Sequence, residues 1–253
     1  MFRPRVIPCL LLRNKGLVKT VRFKKPIYVG DPINAVKIFN DLEADELVFL
    51  DITASKENRI PSLDVIKKIG DEAFMPFAVG GGIKTTEQAL QILNAGAEKV
   101  VINKAAVENP GLITELADCF GNQSIIVSID VKKNFWGKTR VFIQNGSIST
   151  SLDPIEHAMN MEKLGAGEII INSIEHDGCM NGYDLDLIKA VSQAVSIPVI
   201  AIGGAGKLIH FREATQTANA SAVAAGSMFV FHGPRRAVLI NYPEKKELFS
   251  IFS

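Results

Sequence analysis

Cysteine is scarce in this chain. Its 253 residues contain three, Cys9, Cys119 and Cys179, and no two of them form a Cys-x-x-Cys pair. An odd number at such wide spacing argues against a disulfide framework and is typical of a protein from a reducing compartment. We therefore expect a cytoplasmic protein without disulfide bonds.

An excess of charge of one sign is also missing. Lysine and arginine number 28 against 27 aspartate and glutamate residues, which leaves a formal net charge of +1. This balance argues against a protein that binds nucleic acid through its overall charge. The apolar run Val6–Leu12 is too short for a signal peptide core or a membrane span. We expect neither nucleic acid nor membrane as a partner.

Several familiar catalytic motifs are absent. The sequence has no Gly-x-Ser-x-Gly, no phosphate-binding P-loop and no Gly-x-Gly-x-x-Gly turn. The four histidines, His157, His176, His210 and His232, show no His-x-His or His-Glu-x-x-His spacing, so we expect them on the surface or in loops. No metal and no cofactor is predicted.

What the chain does have is a regular alternation of apolar runs and helical patterns. Because most of the runs are continuously hydrophobic, they predict strands covered on both faces in a parallel sheet. The predicted strands are Arg5–Leu12, Glu46–Asp51, Met75–Val79, Lys99–Asn103, Ser124–Val131, Glu168–Ser173, Ile197–Ile202 and Ser221–Ala225.

Helix start signals follow these strands. They are Asp31 before Pro32, a capping box of Thr85 and Gln88, Pro110, Asp153 before Pro154, and Asp184. Eight strand-then-helix units in about 250 residues predict an α/β protein, a single (β/α)8 TIM barrel over residues 1–253. An open, doubly wound sheet would need fewer strands and usually a glycine-rich dinucleotide turn.

The two halves of the chain resemble each other. Glu46 aligns with Glu168, Gly80 with Gly203, and Leu11 with Asp130, at offsets of 122, 123 and 119 residues. Three offsets near half the chain length predict two fused half-barrels with two-fold pseudo-symmetry.

Glycines cluster directly after predicted strands three and seven. In a barrel these positions lie on the C-terminal face, where backbone N–H groups can point at an anion. Tight turns are the alternative, but two clusters in equivalent places favour two phosphate sites and a ligand with a phosphate at each end. The predicted phosphate-binding residues are Gly80, Gly81, Gly82, Asn103, Lys104, Asp177, Gly178, Gly203, Gly204, Gly226 and Ser227.

Two aspartates stand at the ends of predicted strands. Asp51 ends the second and Asp130 the fifth, where a carboxylate is well placed for acid–base chemistry. For Asp51, capping of a loop or pairing with a nearby lysine is an equally good interpretation. Leu11, which aligns with Asp130, cannot transfer a proton, so these two positions do not form a two-carboxylate pair.

Together these motifs resemble the cyclase subunit (HisF) of imidazole glycerol phosphate synthase over residues 3–232. The resemblance rests on the segments 45–55, 79–83, 105–110, 165–168, 177–178 and 202–207. In that family, ammonia from a glutaminase partner attacks a bisphosphorylated aminoimidazole-carboxamide substrate, a lyase-type reaction. Asp130 and Lys19 match the family's catalytic residues, whereas Leu11 replaces the strand-one aspartate. Lys104 stands where the family often has a small hydroxyl residue.

The resemblance also implies an ammonia gate at the N-terminal mouth of the barrel. Arg5, Glu46, Lys99 and Glu168 match the family's ring of charged residues, whose alternating signs would hold it closed by ion pairing. The alternative for such charges is a polar plug that stabilises the barrel bottom. All four together favour a working channel and a docked glutaminase subunit.

The segment Arg3–Thr20 resembles one divergent branch of this family, including its apolar residue at position 11. Members of that branch accompany polysaccharide genes and serve to convert a sugar acetamido group into an acetamidino group. They work with a glutaminase and a separate amidotransferase. This reading is favoured over an authentic histidine-pathway cyclase and over a non-catalytic subunit that only conducts ammonia.

Overall fold

A computed structural model describes residues 3–233 and 235–253. Their strands, in chain order, are β1 (Arg5–Arg13), β2 (Gly16–Val21), β3 (Lys24–Gly30), β4 (Leu47–Asp51), β5 (Phe77–Gly80), β6 (Lys99–Ile102), β7 (Ile125–Lys133), β8 (Thr139–Ile143), β9 (Ile148–Ser149), β10 (Glu168–Ser173), β11 (Val199–Ile202), β12 (Ala222–Ala225), β13 (Phe231–His232) and β14 (Ala237–Val238).

The helices alternate with these strands. They are α1 (Pro32–Asp41), α2 (Leu63–Glu72), α3 (Thr86–Asn94), α4 (Lys104–Glu108), α5 (Gly111–Phe120), α6 (Pro154–Lys163), α7 (Leu185–Ala194), α8 (Leu208–Arg212), α9 (Ser227–Val230) and α10 (Lys245–Phe252). None of the helices in the described part of the chain is long and apolar enough to cross a membrane.

Eight parallel strands close into a barrel in the order β1-β4-β5-β6-β7-β10-β11-β12, and β12 pairs with β1 to complete the circle. The predicted (β/α)8 barrel is therefore confirmed. Each predicted strand lies within two residues of an observed one. The agreement follows from burial on both faces, which makes each strand a continuous apolar run.

Two hairpins extend the barrel, and the sequence analysis did not predict them. β2 and β3 follow β1, and β8 and β9 follow β7, each set pairing antiparallel to the barrel strand before it. In the first hairpin the turn residues Arg22 and Phe23 both have positive φ, as a two-residue primed turn requires. Because β1 and β7 open the two halves of the barrel, the hairpins occupy equivalent places.

Most predicted helix starts carry the expected cap. The Asp31 carboxylate accepts from the amides of Ile33 and Asn34 at 2.9 and 3.0 Å, and Asp153 caps α6 in the same way. The capping box at Thr85 is only half formed. Thr85 Oγ1 accepts from the Gln88 amide, but the Gln88 side chain accepts from the Lys84 amide instead of that of Thr85.

The core consists of two clusters. The larger lies between the barrel wall and the helices and includes Phe39, Phe211 and Phe229, all fully buried. The smaller fills the barrel interior. His157, predicted to be on the surface, is instead buried on α6, where burial lowers its pKa. The three cysteines are free, and Cys9 lies inside the barrel.

The cap of α1 gives a test of this packing. Asp31→Ala removes a carboxylate that accepts from two backbone amides, so we expect it to lower the free energy of unfolding by about 1 kcal/mol. Chemical denaturation measures the loss. The control is Asp41→Ala at the other end of α1, which removes the same charge but no cap. Equal losses in both variants would contradict the capping account.

Candidate functional site

Asp130 lies at the C-terminal mouth of the barrel, at the bottom of an open pocket. It comes from β7, and strand alternation turns its side chain inward together with Ser128. β1 is four strands away from β7 in either direction around the barrel, so Leu11 lines the same pocket from the opposite wall. The position facing the carboxylate is therefore apolar.

Two amide side chains hold the Asp130 carboxylate. Asn103 Nδ2 donates to Oδ2 and Asn172 Nδ2 donates to Oδ1, each at 3.2 Å. Burial raises the pKa of Asp130 to about 7, and the hydrogen bond from Asn172 works against that rise, while the charge of Asp177 adds to it. The pKa of this carboxyl group is therefore much closer to neutral pH than that of an ordinary aspartate, as suits a general acid or base.

The first glycine cluster opens directly into the pocket. Gly81 and Gly82 line it, both with positive φ, and a side chain at Gly82 would meet the carbonyl oxygen of Arg59. Lys104 lines the same wall, and its ammonium group lies 3.4 Å from the Glu108 carboxylate. Gly80 is different, because it faces inward and packs against Val101 and Leu50 in the barrel wall.

The second glycine cluster lies under the loop that follows β10. The Gly204 carbonyl oxygen accepts from the Gly182 amide at 2.9 Å. A methyl group at Gly203 would come within 2.8 Å of Asn172 Oδ1. The Ser227 hydroxyl is buried and lacks a hydrogen-bond partner within the described residues. Since buried polar groups are nearly always paired, this hydroxyl is a candidate contact for a ligand.

The first hairpin covers this second side. Lys19, on β2, is buried, and its ammonium group lies 3.6 Å from Asp177 Oδ1 and beside Gly226. Thr20 Oγ1 donates to Asp177 Oδ2 at 3.1 Å, and Gly178 packs against the Thr20 carbonyl. The amide of Asp177 donates to the Ser173 carbonyl. Asp177 therefore anchors the hairpin, and its predicted contact with phosphate stays a prediction.

Asp51 serves as a loop anchor. Its carboxylate pairs with the Arg59 guanidinium at 2.6 Å and accepts from the amides of Thr53 and Ala54 at 3.0 and 3.1 Å. Of the two interpretations that the sequence left open, the geometry matches the structural one, with an arginine in place of the expected lysine.

The four predicted gate residues form a closed ring of ion pairs at the N-terminal mouth. Lys99 Nζ lies 3.1 Å from Glu46 Oε1 and 2.8 Å from Glu168 Oε1. The Arg5 guanidinium contacts the same two carboxylates, with Glu168 at 3.1 Å. Each cation thus bridges both anions. The Glu46 side chain is 3% exposed and that of Arg5 30% exposed.

Between the ring and Asp130 the barrel interior is apolar. The inward side chains there include Ile7, Val48, Ile126, Ile170 and Ile200. On β10, Glu168 belongs to the ring and Asn172 to the pocket, four residues or about 13 Å along the strand. The ring therefore separates the solvent from an apolar interior that ends at the pocket.

Comparisons with known proteins agree with this architecture. The model of the family described as "Histidine biosynthesis protein" matches residues 5–234. The chain is 51% identical to "Putative imidazole glycerol phosphate synthase subunit hisF2" of Pseudomonas aeruginosa, over 98% of the chain and 99% of the relative. It is 46% identical to "Imidazole glycerol phosphate synthase subunit HisF" of Clostridium botulinum, over 99% of each. The chain belongs to the HisF family.

Sequence reasoning missed several polar residues of this HisF-family pocket, among them Asn172 and Lys84. Asn172 was not singled out because nothing marked it within an apolar run, although its register partner on β7 is Asp130. Lys84, just after the first glycine cluster, also lines the pocket, and Asn58 Oδ1 accepts from its ammonium group at 2.8 Å. Its position next to a predicted anion site was the sequence signal that could have identified Lys84 as a pocket residue.

The Asp130 environment predicts a specific titration. Replacing Asn172 by leucine removes a hydrogen bond that favours the carboxylate, so we expect the pKa of Asp130 to rise above its value of about 7. Carbon NMR of the carboxyl group measures it. Asn34→Leu, on the exposed surface of α1, should leave the value unchanged. An unchanged pKa of Asp130 in Asn172→Leu would contradict the conclusion that the Asn172 amide stabilises the carboxylate.

The same shift has a consequence for stability. An aspartate normally titrates near 3.8, so between about pH 4 and 7 the folded state binds its proton more tightly than the unfolded state. The raised pKa of Asp130 therefore makes the free energy of unfolding depend on pH. The contribution of the protonated carboxyl group is fully present below about pH 4 and is lost as the pH rises to 7.

Proposed function

We propose that this HisF-family barrel takes ammonia from a glutaminase partner and supplies it for the amidination of a sugar, converting an acetamido into an acetamidino group. The sugar belongs to a surface polysaccharide such as O-antigen. The observation that carries the proposal is Leu11 on the wall facing Asp130, in a barrel whose charged ring and apolar interior are intact.

The ring and the interior support passage of ammonia. Ammonia is small and uncharged, whereas an ammonium ion would lose its hydration without gaining a charged partner among the interior isoleucines and valines. The ring closes the mouth with four ion pairs at a partly desolvated site, and a docking protein could rearrange them. Arg5, Glu46, Lys99 and Glu168 would then act as the ammonia gate.

The face around the ring also offers a surface to a glutaminase. HisF subunits work in a complex with such a partner. Phe74, in the connection just before β5, is 88% exposed on that face. Exposed aromatic side chains are enriched at the centres of protein interfaces. A large exposed apolar side chain on the same face as the ring thus supports docking there.

At the other end, the pocket would hold a phosphorylated ligand. Gly81, Gly82 and Lys104 supply amides and a positive charge on one side, with Asn103 between them and Asp130. The second anion site would consist of Gly203, Gly204, Gly226 and Ser227, whose hydroxyl has no hydrogen-bond partner within the described residues. Lys19 covers the ligand and Asp130 acts as the acid or base.

Leucine at position 11 argues against imidazole ring closure. Loss of a positioned acid or base commonly costs about 10²- to 10⁴-fold in rate. Two relatives at 51% identity carry the numbered names hisF2 and hisF3, which suits a role beside a separate histidine enzyme. The alternative is an authentic cyclase in which Asp130, with its pKa near 7, carries the acid–base chemistry alone.

Steady-state turnover of the histidine-pathway substrate with excess ammonium tests this proposal. We expect a rate at least about 10²-fold below that of an authentic HisF cyclase, because Leu11 cannot transfer a proton. Leu11→Asp should raise whatever rate is found, whereas the isosteric control Leu11→Asn should not. Turnover within tenfold of a cyclase would refute the proposal in favour of the histidine enzyme.

The ring predicts a separate result. In Lys99→Met, Glu46 and Glu168 keep Arg5 but lose their second cation, so we expect glutamine hydrolysis to continue while ammonia escapes before use. The ratio of ammonia used to glutamine hydrolysed measures this coupling. Lys67→Met, on the exposed face of α2, is the matched control. A lower melting temperature with unchanged coupling would show that the ring is only a plug.

A further inference from the structure

The β7–β8 hairpin ends in a tip that combines exposed aromatic and basic side chains. Phe135 is 95% exposed and Trp136, the one tryptophan of the sequence, is 79% exposed. Their rings contact each other edge to face, with centroids 6.0 Å apart. Single apolar residues on a surface are ordinary, but an adjacent phenylalanine and tryptophan are typical of binding sites.

Hydrogen bonds within the tip close its turn. The Asn134 side chain accepts from the amides of Trp136 and Lys138 at 3.0 and 2.9 Å. The Asn134 amide donates to the Lys138 carbonyl at 2.8 Å, and Gly137 supplies the positive φ that closes the turn. A partner would therefore bind a preformed tip and lose little conformational entropy from it.

This hairpin is also strongly basic in a chain that is nearly neutral. Residues 131–152 contain Lys132, Lys133, Lys138 and Arg140 and no acidic residue, although the whole chain carries a net charge of +1. Within residues 3–233 and 235–253, the three lysines form no ion pair, and Arg140 lies 4.0 Å from Asp153. The positive charge of the hairpin is thus largely uncompensated.

A groove beside the tip indicates what kind of partner can bind there. Its lining includes the basic residues Lys132, Lys138 and Arg140 and the hydroxyl residues Ser149, Thr150 and Ser151. A groove with hydroxyl groups suits an extended protein segment, whose side chains can enter it, whereas a flat lipid surface would contact the tip without filling the groove. The tip also projects beyond Asp130 on the C-terminal face, away from the charged ring.

We propose that this hairpin is a docking site for an acidic segment of another protein, bound on the face into which the pocket opens. The acidic side chains would pair with the three lysines, and an apolar residue would contact Phe135 and Trp136. That this protein is the one that receives the ammonia rests on the function proposed above. The docking site itself is argued from the charge and the aromatic residues of the hairpin, which do not depend on that function.

Trp136 makes the test direct, because its fluorescence reports only on this tip. The probe is a soluble peptide of glutamate, aspartate and leucine, and the matched control peptide has glutamine and asparagine in place of the acids. We expect the acidic peptide alone to shift and quench the emission. The double variant Lys133→Glu with Lys138→Glu should weaken its binding at least about tenfold. Lys67→Glu should leave it unchanged.

Three results would overturn the proposal. They are equal binding of the neutral peptide, a shift produced by phosphatidylglycerol vesicles in place of the peptide, and no shift with either probe. The assay contains neither glutamine nor sugar, so its failure would leave the proposed function standing. Conversely, peptide binding by a protein that closes imidazole rings would keep the docking site and reject the amidination.

Discussion

Strand alternation is the constraint on which the rest of the structure depends. Each barrel strand turns every second side chain inward, so a residue's position along its strand decides which layer of the interior it joins. On β10 this places Glu168 in the charged ring, Ile170 in the apolar layer and Asn172 at the pocket. A shift of one residue would exchange all three for side chains that now face the helices.

The ring and the pocket, at opposite ends of the same strands, therefore differ in whether their polar groups are paired within the protein. At the N-terminal mouth, four charges satisfy each other and need no ligand, which makes a closed and self-contained layer. At the C-terminal mouth, burial raises the pKa of Asp130 to about 7. Within the described residues, the hydroxyls of Ser55 and Ser227 and the side-chain oxygen of Asn172 have no hydrogen-bond partner there. Ser192, on α7, is the fourth such group in the described residues, so three of the four lie where a ligand can pair with them.

Much of this could be predicted from the sequence. Continuous apolar runs located the barrel strands, and the resemblance to the HisF family implied the ring of Arg5, Glu46, Lys99 and Glu168. The first hairpin escaped prediction because its primed turn at Arg22–Phe23 uses residues other than glycine at positive φ. The turns of the second hairpin do contain Gly137 and Gly146 at positive φ, a signal that the sequence analysis did not use. Asn172 escaped because its importance comes from the neighbouring strand, and register is not visible in a local pattern.

The central claim is that ammonia travels through the barrel to an acceptor other than an imidazole precursor. The most direct measurement supplies the glutaminase complex with glutamine carrying heavy nitrogen in its amide, in the presence of excess unlabelled ammonium, the sugar substrate and its amidotransferase. The account predicts that the acetamidino product retains the label, because the ring shields the channel from bulk solvent. Label diluted to the level of the bulk ammonium, or found only in an imidazole product, would contradict it.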